Sequence, residues 1–171
     1  GGCIWIDGQY SACAIDTPML VVNSLNTRST QIIPLELIAA AGLIFTFGEQ
    51  LRGRDIIFFI DNQSVCGALT KGTCRSRDVQ HLTTAWHIMC LQLGCRIWIE
   101  WVPSAANPSD ILSREKRSDP SVLSSLGGGT NEVEPMQLPN WTNQYEFDCI
   151  DKILNELESH HWQPRHADEL M

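Results

Sequence analysis

Apolar and polar residues along this chain fall into short blocks with two different rhythms. Ile4-Trp5-Ile6 and the run from Gln9 to Ile15 flank Asp7-Gly8. An Asp-Gly pair between strand-like runs predicts a β-hairpin, because a type I′ turn needs positive φ at both central positions. Met19-Leu20-Val21-Val22 predicts a further extended segment. Polar residues 23–31 then lead to a helix near Pro34, with Leu35, Ile38, Ala39, Gly42, Leu43 and Phe47 on one face, so the helix packs on a sheet.

Residues 56–60, Ile-Ile-Phe-Phe-Ile, are apolar throughout, which predicts a central strand covered on both faces. A short helix follows, marked by Val65 and Leu69. Residues 78–93 repeat Val79, Leu82, Ala85, Trp86, Met89, Cys90 and Leu93 at helical spacing, and Gly94 closes that helix. Residues 96–102 alternate as a strand, after which Asn107 is the N-cap and Pro108 the first residue of a short last helix. The order of elements predicts an α/β fold, a mixed sheet with helices on its faces.

Beyond residue 114 the pattern weakens. Residues 115–143 read as an acidic linker rich in Pro and Gly, with Gly127-Gly128-Gly129-Thr130 between Pro120, Pro135 and Pro139. Residues 144–171 form a tail whose Phe147, Ile150, Ile153, Leu154 and Leu157 mark one amphipathic helix. A lone helix of that length is marginal in water and needs a partner to dock against.

Composition narrows the class. The 171 residues, 43% hydrophobic, suffice for one core plus an appendage. No run approaches a membrane span and no signal sequence opens the chain, so an intracellular protein of cytoplasm or nucleus, without a membrane partner, is expected. Seven cysteines, an odd number without a CxxC pair, read as small buried hydrophobes in a reducing compartment and not as a zinc site or disulfide framework. His81 and His87 read as packing or surface residues and the His160-His161 pair as exposed.

The net charge of −8 is unevenly placed: residues 1–114 hold 9 acidic and 8 basic side chains, residues 115–171 hold 11 and 4. Acidity argues against broad affinity for nucleic acid, which rests on Lys and Arg. The objection weakens if core acids are neutralised by bound cations. Within the core, Lys71, Arg75 and Arg77 form the one local basic cluster, either a phosphate contact or a solvated loop.

Three acids stand in settings of their own. Glu36 lies in the helical run Leu35 to Ala41, Asp61 ends the apolar strand, and Asp110 sits in the first turn of the last helix. Each has a plain reading: a solvated helical Glu, an N-cap for the next helix, an acid in a helix's first turn. Brought together, they supply the oxygen ligands that two divalent cations need to clamp a phosphodiester.

Leu35-Glu36-Leu37, Phe59-Ile60-Asp61-Asn62, and Trp101-Val102-Pro103-Ser104 continuing to Asn107-Pro108-Ser109-Asp110-Ile111-Leu112-Ser113-Arg114 together resemble the ribonuclease H domain of retroelement reverse transcriptases. The last motif is the most specific, and the resemblance spans roughly residues 1–114. It implies a ribonuclease H-like mixed five-stranded sheet flanked by helices. It also implies endonucleolytic hydrolysis of the RNA strand of RNA/DNA hybrids with two Mg²⁺ ions, Mn²⁺ being a substitute. On the matching positions Glu36, Asp61 and Asp110 are the catalytic metal ligands. Asn62, Lys71, Arg75, Arg77 and Asn107 are the candidate nucleic-acid contacts, and the implied partners are the hybrid and the upstream reverse transcriptase region of the same polyprotein.

Two departures qualify the resemblance. The family takes a fourth carboxylate from an Asp on its first strand, whereas this sequence opens at Gly1-Gly2-Cys3, so the counterpart is expected upstream and the domain lacks the start of that strand. Asp7 is no substitute, lying at the far end of the strand. The loop before Asp110 reads Ser104-Ala105-Ala106, without the His that assists product release in cellular members, which suggests slower turnover. An inactive fragment of the same fold that binds hybrid or a polyprotein partner is the alternative. An integrase or exonuclease of the superfamily is a third reading, weakened for exonucleases by the lack of Asp-x-Glu on the first strand.

Overall fold

A computed structural model describes residues 1–113 and 133–139. Asp7 and Gly8 take φ of 52° and 79°, the positive values that the Asp-Gly turn requires. They join β1 (Gly2–Ile6) to β2 (Gln9–Ala14) in an antiparallel hairpin that pairs Gly2 with Cys13 and Ile6 with Gln9.

The apolar run after Pro18 is not a strand, as expected above, but a short helix, α1 (Met19–Ser24). Val21 and Val22 amides both bond to the Pro18 carbonyl, and Ser24 Oγ donates to the Val21 carbonyl at 2.7 Å. Four apolar residues cannot by themselves distinguish strand from helix, and Pro18, with φ fixed near −60°, starts the turn. The helix predicted near Pro34 is α2 (Ile32–Thr46), which buries Leu37, Ile38, Ala41 and Ile44 and leads into the single turn α3 (Gly48–Leu51).

A parallel pair follows, β3 (Asp55–Ile60) and β4 (Arg96–Trp101), linked through α4 (Gln63–Lys71) and α5 (Arg77–Leu93). Gly72 and Gly94 end these helices in the left-handed conformation, as the sequence led one to expect of Gly94. Two 3₁₀ turns, Ser104–Ala106 and Pro108–Ser113, close the core, with Asn107 capping the second. The core lies between the strands and the α2–α5 layer, where Trp86 is fully buried and meets Phe58 edge to face at 5.7 Å.

Two expectations change here. β3 is not covered on both faces by the described residues: Phe58 and Ile60 are buried, but Ile57 and Phe59 are 63% and 56% exposed, beside an exposed Trp98. Its continuous apolarity misled because alternation alone marks a one-sided strand. Part of the expected linker is also structured. Residues 134–135 form β5 (Glu134–Pro135), parallel to β2, and Met136 is 3% exposed with its amide bonded to the Ala14 carbonyl at 3.0 Å. Gly42 makes this possible, since a Cβ there would stand 2.6 Å from Met136 Sδ.

The molecule is thus mixed α/β. Among the described residues its five strands form two sheets, β1-β2-β5 and β3-β4, instead of one continuous five-stranded sheet. Six described cysteines are free, Cys13 and Cys90 buried among apolar neighbours as expected, and burial pushes the Cys90 thiol up to about 12. Cys149, the His160-His161 pair and the tail helix lie outside the described residues.

Candidate active site

α2 and β3 bring two of the three singled-out acids to one place. Glu36 sits early in α2, and Asp61 follows the last residue of β3; both line a cavity that also reaches Asn107 and Ser109. The end of β3 is held firmly. Val102 N–H donates to the Ile60 carbonyl at 3.0 Å, and the Trp101 indole donates to the Asp61 carbonyl at 3.1 Å, so the backbone beneath the carboxylate is tied to β4.

Asn62, not Asp61, caps α4. Its Oδ1 accepts from the Ser64 amide at 2.9 Å and the Val65 amide at 3.2 Å, which leaves the Asp61 carboxylate outside the capping interaction. Asn62 also hydrogen-bonds the Glu36 side chain.

Glu36 carries the strongest sign of function. Burial raises its carboxyl above the ordinary range; the Asn62 hydrogen bond opposes this, and the Asp61 charge adds to it. Its Oε2 is buried without a hydrogen-bond partner in the structure. Buried polar oxygens are nearly always satisfied, so an orphan beside a second carboxylate is the arrangement expected where a cation belongs. Donors that are all oxygen suit a hard ion such as Mg²⁺.

Asp110 is placed in the first turn of the 3₁₀ segment, where its amide bonds to the Asn107 carbonyl at 3.2 Å. Among the described residues no group of three or more acidic, His or Cys side chains converges as a metal cage. The structure therefore pairs Glu36 with Asp61 and sets Asp110 on the neighbouring turn, one residue beyond the cavity wall. Asn107 spends its Oδ1 on the Ser109 amide at 3.1 Å and hydroxyl at 2.7 Å.

The basic cluster is exposed at the opposite end of α4. A nine-residue helix separates Lys71 from Asn62 by about 13 Å along the axis. His87 packs on Trp86 and its Nε2 lies 2.9 Å from the Leu69 carbonyl, a structural histidine as expected. The sequence reading missed the double role of Asn62, although its place between a strand-end acid and a helix start was the available signal.

Glu36→Gln separates site strain from fold. A raised carboxyl means that the folded chain holds this proton more tightly than the unfolded chain does. Metal-free stability is then greatest at low pH and falls as pH climbs from the ordinary carboxylate range to the folded value. In EDTA at pH 7 the Gln variant is expected to melt a few degrees higher than wild type, and, were the site to take Mg²⁺, to gain less from its addition. Thermal melts with and without Mg²⁺ check this, and a variant that melts lower in EDTA would remove the strain argument.

Comparison with protein-family models, curated proteins and solved structures finds no match to this chain.

Proposed function

We propose that the chain is a ribonuclease H domain of a retroelement polyprotein, hydrolysing the RNA strand of RNA/DNA hybrids with Mg²⁺. The observation that carries this reading is the pairing of Glu36 with Asp61 in one cavity, the Glu36 oxygen buried and unsatisfied. The finer fold reading, a ribonuclease H-like sheet, rests on the motifs around these residues and on their order along α2, β3 and the 3₁₀ turn.

In this reading Glu36 and Asp61 hold the metal, with Asp110 approaching from its turn; bound ions there would activate water and neutralise the leaving oxygen. Asn62 fixes the Glu36 carboxylate by hydrogen bonding while capping α4. Lys71, Arg75 and Arg77 engage phosphates farther along the duplex, contacts that set register and carry no sequence information. Preference for hybrid follows from A-like shape and 2′-hydroxyl contacts in the minor groove. The expected partners are the hybrid and the reverse transcriptase region of the polyprotein.

A second reading, hybrid or partner binding without cleavage, is favoured by one observation: no three-acid group forms among the described residues. An end-labelled hybrid incubated with the chain in Mg²⁺, then Mn²⁺, decides between them. Cutting of the RNA strand alone, absent in EDTA and absent on duplex DNA, supports the nuclease. Retained hybrid binding with no cutting in either metal supports the binding module. Neither binding nor cutting would overturn both.

A further inference from the structure

We propose that residues 133–139 are a clasp that positions the site, tying the turn that carries Asp110 to the helix that carries Glu36. That these acids form a metal site rests on the proposed function, whereas the clasp itself rests on contacts among the described residues.

The turn is a weak element by itself. Pro108–Ser113 is 3₁₀ throughout, a geometry with poor hydrogen bonds that is uncommon beyond a single turn, and the Asp110 amide reaches the Asn107 carbonyl at 3.2 Å. Its buried side chain is Leu112, which is 1% exposed. Leu112 rests on Tyr10, Ala12 and Ala14 of β2, and two alanines are too small to enclose a leucine. Val133, the first residue of the clasp, packs against this cluster and so helps to seat the turn.

Three residues later the same segment grips α2. β5 pairs with Cys13 and Ala14, and the Met136 amide donates to the Ala14 carbonyl at 3.0 Å. The Met136 side chain is buried over Gly42, with Leu138 beside it. The Gln137 amide donates to Thr46 Oγ1 at 2.9 Å, and that hydroxyl donates in turn to the Gly42 carbonyl at 2.6 Å. Gly42 and Thr46 lie six and ten residues past Glu36 on one helix, about 9 and 15 Å along its axis.

One short segment therefore touches the supports of both acids. Asn107 and Ser109 of the turn line the same cavity as Glu36 and Asp61, so a turn that lifts from β2 carries Asp110 away from the pair. Since α2 also packs on α5, the larger effect of the clasp is expected at the turn. Met136 and Val133 act through other residues and are positioning residues, not catalytic ones.

Hydrogen exchange on the 171-residue chain tests this with substitutions confined to the clasp. Met136→Asp puts a charge into the apolar seat, and Gln137→Pro removes the amide that Thr46 accepts. In both variants, amides of residues 104–113 are expected to exchange about tenfold faster and those of α2 about threefold faster, with α5 unchanged. Met136→Leu, close in volume, is expected to exchange as wild type does. In the hybrid-cleavage assay the first two variants are expected to lose about tenfold in kcat with KM unchanged, and Met136→Leu to lose nothing. A wild-type chain that does not cut would remove the nuclease reading, and exchange alone would then decide the clasp. Unchanged exchange at 104–113 in both variants, equal acceleration in α5, or faster exchange with kcat untouched would each overturn the proposal.

Discussion

Asp61→Asn is expected to reduce metal-dependent cleavage of an RNA/DNA hybrid by about 10³-fold. Metal ligation at a phosphoryl centre supplies several kcal/mol of charge stabilisation, and about 4 kcal/mol corresponds to that factor. The substitution keeps the volume of the side chain and leaves the backbone carbonyl that binds the Trp101 indole. The fold should therefore survive, and circular dichroism and the melting curve in EDTA should match wild type. A third reading distinguishes loss of ligation from general damage: the Asp61 charge helps to raise the Glu36 carboxyl, so in the Asn variant that carboxyl should move back toward its ordinary range, visible by NMR titration. Cleavage that remains within about tenfold of wild type at saturating Mg²⁺ would remove Asp61 from the chemistry.

The largest stability effect is expected at Asp78, which is 2% exposed at the start of α5. Its carboxylate accepts from the Arg28 guanidinium, the Asn26 amide at 3.0 Å, the Ser76 hydroxyl at 2.6 Å and the Val79 amide at 2.9 Å. Burial pushes this carboxyl up, but the hydrogen bonds from Ser76, Arg28 and the Asn26 and Val79 amides together outweigh it and hold the group below the ordinary range. The cluster pins the segment ahead of α2 to α5, and so fixes where the helix that carries Glu36 begins.

Asp78→Ala would take the carboxylate acceptor from the Asn26 and Val79 amides and leave the partly buried Arg28 guanidinium with the Ser76 hydroxyl at 3.1 Å in place of its ion pair. Removing one member of a buried pair costs about 3–5 kcal/mol, and since Arg28 still reaches water the lower end applies, about 3 kcal/mol. For a chain of this size that is a fall in Tm of about 10 °C. Because the folded carboxyl lies low, its contribution is complete above pH ~4 and is lost as pH falls through the folded value. Asp78→Asn should therefore flatten the acid limb of the stability curve. Urea titrations across pH check both, and an Ala variant within about 1 kcal/mol of wild type would show that the cluster is ornamental.

What could be read from the sequence was whatever a single local rule decides. The hairpin was legible because few residue pairs other than Asp-Gly accept two positive φ values, and α5 because its apolar positions recur over seventeen residues. The Glu36–Asp61 pairing was legible from a helix start and a strand end with recognisable neighbours. Tertiary circumstances were not. Met19 to Val22 became α1 because Pro18 starts a turn there; Ile57 and Phe59 lost their cover; and Met136 docks only because Gly42, ninety-odd residues earlier, leaves space.

The parallel pairing of β3 with β4 has a consequence for synthesis. The β1–β2 hairpin closes on its neighbour within microseconds of formation, but β3 must wait until α4 and α5 have been added before β4, its only partner among the described strands, exists. At roughly 5–20 residues per second the ribosome holds Ile56–Ile60 unpaired for seconds. During that interval a five-residue apolar strand without a charge is the part of the nascent chain most exposed to self-association, and the stretch on which a chaperone would act.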